Sequence, residues 1–153
     1  MAMAQQSESA AADTVLRITR RFAASPEAVF RAWTEPAALQ SWWGPEGFTV
    51  PTCEVDARPG GSWRTQMHSP DGNDHWVGGT YREVSPPERL VFTWTWEQGE
   101  MEGIETVVTV ELRPVGDGTE LTLTHDLLPS ENSRDMHRKG WTSSLGCLET
   151  ALA

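Results

Sequence analysis

Apolar and polar residues alternate along much of this chain, and the alternation gives way to a helical period in two places. From Thr14 to Phe22, Leu16, Ile18 and Phe22 fall on one side and Arg17, Thr19 and Arg21 on the other, which predicts a strand with one buried face. Ser25-Pro26-Glu27 then reads as a helix start, with serine as N-cap, proline at the first helical position and an acid near the positive end of the dipole. Val29, Phe30 and Trp33 form the apolar stripe of that helix. Glu35-Pro36 opens a second short helix carrying Leu39, Trp42 and Trp43, and Gly44-Pro45 stops it.

Period-two alternation then returns in six segments: Thr49–Ala57, Ser62–Ser69, Trp76–Val84, Arg89–Glu97, Glu105–Pro114 and Glu120–Leu127. Arg58-Pro59-Gly60-Gly61, Pro70-Asp71-Gly72-Asn73, Ser85-Pro86-Pro87 and Gly116-Asp117-Gly118 punctuate them as turns. Connections this short join antiparallel neighbours, because a parallel crossover needs a dozen or more residues. After Pro129-Ser130 the period becomes helical. His137, Trp141, Leu145, Leu148 and Leu152 share one face of a helix near residues 131–151, beside a strip of small residues, Gly140, Ser144, Cys147 and Ala151. Small residues there either let the helix approach the sheet closely or leave space unfilled.

The predicted fold is α+β: a curved antiparallel seven-stranded sheet wrapped on a long C-terminal helix, with two short helices after the first strand. A sheet of this size twists and curls, and its apolar concave face must be covered. The terminal helix is the one element long enough to do so, with Trp141, Leu145 and Leu148 toward the sheet. A curved sheet gripping one helix is hard to fill at both ends, so the space between them is where a pocket belongs.

Composition narrows the function classes. The 153 residues are the size of one domain, expected over 14–153 behind a flexible N-terminal tail at 1–13. The formal net charge is −10, with a single lysine, Lys139, and scattered arginines, so neither nucleic acid nor an anionic membrane is an expected partner. No apolar run approaches the length of a membrane span, and the first residues show no signal-peptide pattern, which makes the cytoplasm the expected location. Cys53 and Cys147 have no CxxC or Cys/His spacing, so they read as free thiols rather than zinc ligands. There is no Ser-His-acid spacing, nucleophile elbow or phosphate loop.

Eight tryptophans against one tyrosine are the strongest chemical signal. Strand parity puts Trp63, Met67, Phe92, Trp94 and His125 on one side of the sheet, opposite Trp141 and Leu145 of the helix. These seven residues are the expected ligand-binding set, since large flat side chains bury much area and recognise apolar or aromatic molecules by stacking. Plain core packing is the alternative for the tryptophans, and Trp42-Trp43 read as pins holding the short helices to the sheet. On this reading Leu145→Trp should fill the cavity. His125, on the apolar face with Leu121, Leu123 and Leu127, is either an acid–base group in the pocket or, more simply, a core histidine with its own partners. His68, Asp71, Asp74 and His75 surround a turn that turn chemistry explains without a metal, and no metal or other cofactor is expected.

The order of these stretches is similar to a known family. Ser25-Pro26-Glu27-Ala28-Val29-Phe30-Arg31-Ala32-Trp33, Trp42-Trp43-Gly44-Pro45, Asp56-Ala57-Arg58-Pro59-Gly60-Gly61, Pro70-Asp71-Gly72, Gly79-Thr80-Tyr81-Arg82-Glu83-Val84, Pro86-Pro87-Glu88-Arg89-Leu90 and Gly140-Trp141 resemble, in sequence, the family named after the activator of the 90-kDa heat-shock chaperone's ATPase. That family lies in the START-like (SRPBCC) superfamily. The resemblance implies the helix-grip fold and a cavity between sheet and helix, where related families bind lipids, hormones or polyketides and some relatives act as cyclases or aromatases. The expected function is binding of a small hydrophobic or aromatic ligand in that cavity without catalysis. A cavity enzyme of the cyclase or isomerase kind using His125, and a co-chaperone-like interaction module, are the alternatives. The namesake co-chaperone carries an additional N-terminal domain that engages the chaperone, whereas only 13 residues precede the first strand here, so a chaperone partner is not the expected one. A homodimer is compatible with the sequence.

Overall fold

A computed structural model describes residues 14–153; the expected tail at 1–13 lies outside the described residues. Seven strands and three helices follow in the predicted order. Strand β1 is Leu16–Phe22, helix α1 Pro26–Thr34 and helix α2 Pro36–Gln40. The strands β2 Thr49–Val55, β3 Ser62–His68, β4 Asp74–Ser85, β5 Arg89–Trp96, β6 Thr106–Val115 and β7 Gly118–Asp126 come next, and α3, Glu131–Leu152, closes the chain.

The strands form one antiparallel sheet in the order β1-β7-β6-β5-β4-β3-β2. Every connection from β2 to β7 is a hairpin, and only the two short helices carry the chain from one sheet edge to the other. The tightest hairpin is β6–β7, where Val115 pairs with Gly118 and Gly116 turns at φ 58°. That two-residue loop starts β7 two residues before the alternation of apolar residues does. Register shifts between Thr49 and Thr52 and between Tyr81 and Glu83 add local bend on the β2–β5 side of the sheet.

Helix α1 starts as its sequence dictates: the Ser25 side chain accepts from the Ala28 amide at 3.2 Å, with Pro26 in the first turn. The two indoles after α2 then anchor both short helices. Trp42 Nε1 donates to the Ala32 carbonyl at 2.9 Å, and Trp43 Nε1 to the buried Thr65 hydroxyl of β3 at 3.0 Å. Gly44 takes φ 88° immediately afterwards, a left-handed turn that glycine adopts without steric cost.

The concave face is a continuous apolar surface through Val77, Leu90, Phe92, Val108, Val110, Leu121 and Leu123, all buried. α3 lies against it with Trp141, Leu145 and Leu148 buried, as the spacing predicts. Its Ser130 cap accepts from the Ser133 amide at 3.1 Å, and Glu149 pairs with Arg20 of β1 at 3.3 Å. Among the described residues no helix is long and apolar enough to cross a membrane.

Candidate functional site

The inner face of the sheet is not filled evenly. At the end built by the close of β3, the start of β4 and the close of β5, the N-terminal half of α3 stands away from the sheet and leaves a cavity of about 790 Å3. Met67 and Trp94 supply its sheet wall, Trp141 and Gly140 its helix wall, and Trp43 and Phe48 the side formed by the loop after α2. The mouth is ringed by the β3–β4 turn at Asp74 and His75, the loop from Gln98 to Met101, and Met136 of α3.

Gly140 leaves the helix wall without a side chain at its position. A Cβ placed there would meet nothing within 4 Å, so the small residue borders open space rather than a tight contact. Gly140→Ala is accordingly expected to raise stability by about 0.5–1 kcal/mol, the helix-propensity difference, in urea unfolding. A loss of stability would mean that the space is already occupied by packed side chains.

Of the seven residues expected to bind ligand, Met67, Trp94 and Trp141 border the cavity, whereas Trp63, Phe92, His125 and Leu145 do not. Trp63 and Phe92 lie further along the same inner face, with their rings 5.5 Å apart, and Trp63 Nε1 donates to the Thr93 carbonyl at 3.1 Å. Leu145 is fully buried in the filled half, so Leu145→Trp would overpack the core instead of filling the cavity. Strand parity identifies the inner face but not which end of it is open. Trp43, Phe48 and Trp96, together with the β5–β6 loop, border the cavity without being among the seven residues expected to bind ligand. For Trp43 the pinning role is real, and the same ring also forms wall.

His125 is a fully buried core histidine with both ring nitrogens engaged. Trp141 Nε1 donates to its Nδ1 at 3.1 Å, which fixes the proton on Nε2. Nε2 then donates to the Thr106 hydroxyl at 2.7 Å, and that hydroxyl donates to the Trp94 carbonyl at 3.0 Å. Burial, with His137 close by, holds the His125 pKa well below its ordinary value, so the ring stays neutral. A second indole–imidazole pair repeats the arrangement at the cavity wall. Trp96 Nε1 donates to His137 Nε2 at 3.1 Å, and His137 Nδ1 donates to the Ser133 carbonyl at 2.7 Å. Burial lowers the His137 pKa as well. The two imidazoles are 4.9 Å apart between ring centres. Neither has a nitrogen left for a proton relay while these bonds persist.

The tryptophans form one network. Trp33, Trp42, Trp43, Trp63, Trp94, Trp96 and Trp141 are linked ring to ring, and only Trp76 stands apart, beneath the Arg64 guanidinium at 4.0 Å. At the mouth, His68 Nδ1 and Asp74 Oδ1 are 2.8 Å apart and Ser69 is bonded to Asp71. These contacts close the turn on itself, and no group of three or more potential metal ligands occurs among the described residues. Cys53 and Cys147 are free and half-buried, and burial pushes the Cys53 thiol up to about 11, which keeps it in the unreactive protonated form.

Comparison with known proteins agrees with this architecture. The AHSA1 protein from Silicibacter pomeroyi is 36% identical with a TM-score of 0.82, over 90% of this chain and 96% of that one. A protein from Chromobacterium violaceum is 31% identical with a TM-score of 0.84, over 91% and 96%. One from Nitrosomonas europaea is 29% identical with a TM-score of 0.79, over 92% and 95%. No curated protein matches the chain. The family model described as activator of Hsp90 ATPase homolog 1-like protein matches residues 23–153, and the chain belongs to that family.

Proposed function

We propose that the protein binds a small hydrophobic or aromatic molecule in the cavity between the sheet and α3. The observation that carries this reading is an indole-lined space of about 790 Å3 between the sheet and α3. That volume is in the range of small-molecule sites, and apolar walls with a few polar groups at the rim are their usual composition. Apolar walls facing water are covered with a gain in free energy when an apolar guest displaces that water. The acid–base alternative finds less support, because both nitrogens of His125 and of His137 are bonded within the protein. The interaction-module alternative would be favoured by a contiguous exposed apolar patch beside a filled core. Among the described residues the large exposed apolar side chains are Ile104, Leu127 and Met136, and the last of these belongs to the cavity mouth.

Nile red, a neutral dye that emits strongly in apolar surroundings, tests the reading. The parent protein should bind it saturably. Gly140→Trp, which projects an indole into the open space, should weaken binding at least tenfold while thermal unfolding stays cooperative. A folded Gly140→Trp variant that binds the dye as the parent does would remove the cavity from consideration.

A further inference from the structure

The charge of the ligand is legible in the same cavity, and this inference rests on the binding role proposed above. Among the described residues no lysine or arginine lines the space; the acidic residues that do are Asp74 and Glu100, both at the mouth, with His75 beside Asp74. The Asp74 carboxyl is held below the usual carboxylate range, chiefly by its bond to His68, and is ionised at neutral pH. Glu100 and Glu102 form no ion pair among the described residues, and their loop carries no cation of its own, while its flanking acids Glu97 and Glu105 are paired with Arg64 and Arg82. The nearby cations are paired or lie off the lining: Arg82 pairs with Glu105 at 3.2 Å and Arg134 with Asp135 at 3.0 Å, and Lys139, next to Gly140, is not among the lining residues. Arg64 is paired with Glu97 at 2.7 Å and stacked on Trp76, and Arg138 of α3 reaches back toward the Arg17 carbonyl.

The π-electrons of the walls favour the same sign by a separate route, with the Trp94 Nε1–H, which has no hydrogen-bond partner among the described residues, as an opposing donor. Trp43, Trp94, Trp96 and Trp141 border the space, and indole faces are electronegative. The imidazole in the wall, His137, contributes no positive charge, because its Nε2 accepts from Trp96 and burial disfavours its protonated form. A carboxylate entering here would lose hydration and meet π-faces and two carboxylates, with no guanidinium or ammonium to receive it. An ammonium would meet the reverse: indole faces inside and carboxylates at the rim, the arrangement by which aromatic cages hold organic cations.

We infer that the site selects organic cations with an aromatic or apolar body, accepts neutral molecules of the same shape, and rejects anionic amphiphiles such as fatty acids. Three probes sharing one body and differing only in the head group decide the matter: naphthylmethylamine, naphthylmethanol and naphthoate. Displacement of Nile red from the parent protein, at neutral pH and low salt, should rank the amine first, the alcohol next and the carboxylate last. The amine and the carboxylate should differ at least tenfold. In an Asp74→Asn/Glu100→Gln double variant the amine should weaken and the carboxylate tighten, narrowing that ratio. If the alcohol binds and the carboxylate binds as tightly as the amine, the charge selectivity is overturned while the apolar pocket stands. If the double variant keeps the parent's ratio, the assignment to these two carboxylates is overturned. If Nile red and all three probes fail to bind, the pocket reading falls, and the selectivity with it.

Discussion

His125→Ala is expected to lower the free energy of unfolding by about 4 kcal/mol, among the largest effects of any single substitution in this chain. The loss has two sources. A fully buried side chain is removed from a packed layer, which costs transfer energy and leaves a void. The Trp141 indole N–H is also left without its acceptor in a buried setting, at about 1–3 kcal/mol, and Thr106 loses the donor to its hydroxyl. His125→Gln separates these terms. Its amide oxygen can accept from Trp141 and its amide nitrogen can donate to Thr106, so it should recover roughly half of the loss. Urea unfolding of the three proteins gives the answer. An alanine variant within about 1 kcal/mol of the parent, or a glutamine variant no better than alanine, would show that the hydrogen-bonded chain from Trp141 to Trp94 is not what holds this side chain.

Stability should fall as the pH drops below about 6.5, before any carboxylate titrates. His125 and His137 both have folded pKa values lowered from 6.5, chiefly by burial. Above 6.5 both are neutral whether the chain is folded or unfolded, and they contribute no pH dependence. As the pH falls through 6.5 they take up protons in the unfolded chain but not in the folded one. The unfolded state then binds more protons, and acid favours it. The loss continues until the lowered folded values are reached, with a slope of at most about 1.4 kcal/mol per pH unit for His125. Asp71, Asp74, Glu97 and Glu120, whose pKa values are lowered by hydrogen bonds to Ser69, His68, Arg64 and Arg113, add their own loss only in the carboxylate range below. Urea midpoints measured from about pH 7.5 to pH 5 should therefore decline in the parent and decline less in His125→Gln, the remainder belonging to His137. A flat profile across that window would mean that the imidazoles are hydrated enough to protonate in place.

The fold was legible because each of its elements is written locally. Ser25-Pro26 caps and starts α1, glycine and proline pairs mark the hairpins, and the period changes once more at Pro129-Ser130. Strand ends moved by no more than two residues where ladder bonds extend past the apolar alternation, as at Asp74 and Gly118. The cavity was legible only in part, and the reason is geometric. Alternation along β3 and β5 gives Trp63 and Met67, or Phe92 and Trp94, the same inward direction. Which member of each pair borders open space depends on where α3 leaves the sheet, a tertiary property with no local signature. Gly140 was the nearest thing to one. The mouth is built from Asp74, Glu100 and Met136, polar or isolated in sequence, and nothing in their surroundings ties them together before the strands are placed. His125 was unresolved between two roles until its partners, Trp141 and Thr106, were brought to either side of it.

The indole network has an optical consequence. Its rings are spaced 4.8–6.1 Å between centres, so close that excitation absorbed by one passes among the others before light is emitted. Seven chromophores therefore act as a single antenna, with Trp76 outside its ring-to-ring contacts. An acceptor seated beside Trp94 would drain energy from Trp33 and Trp42, which it never touches. The protein thus carries an intrinsic, label-free reporter for any guest in the proposed site.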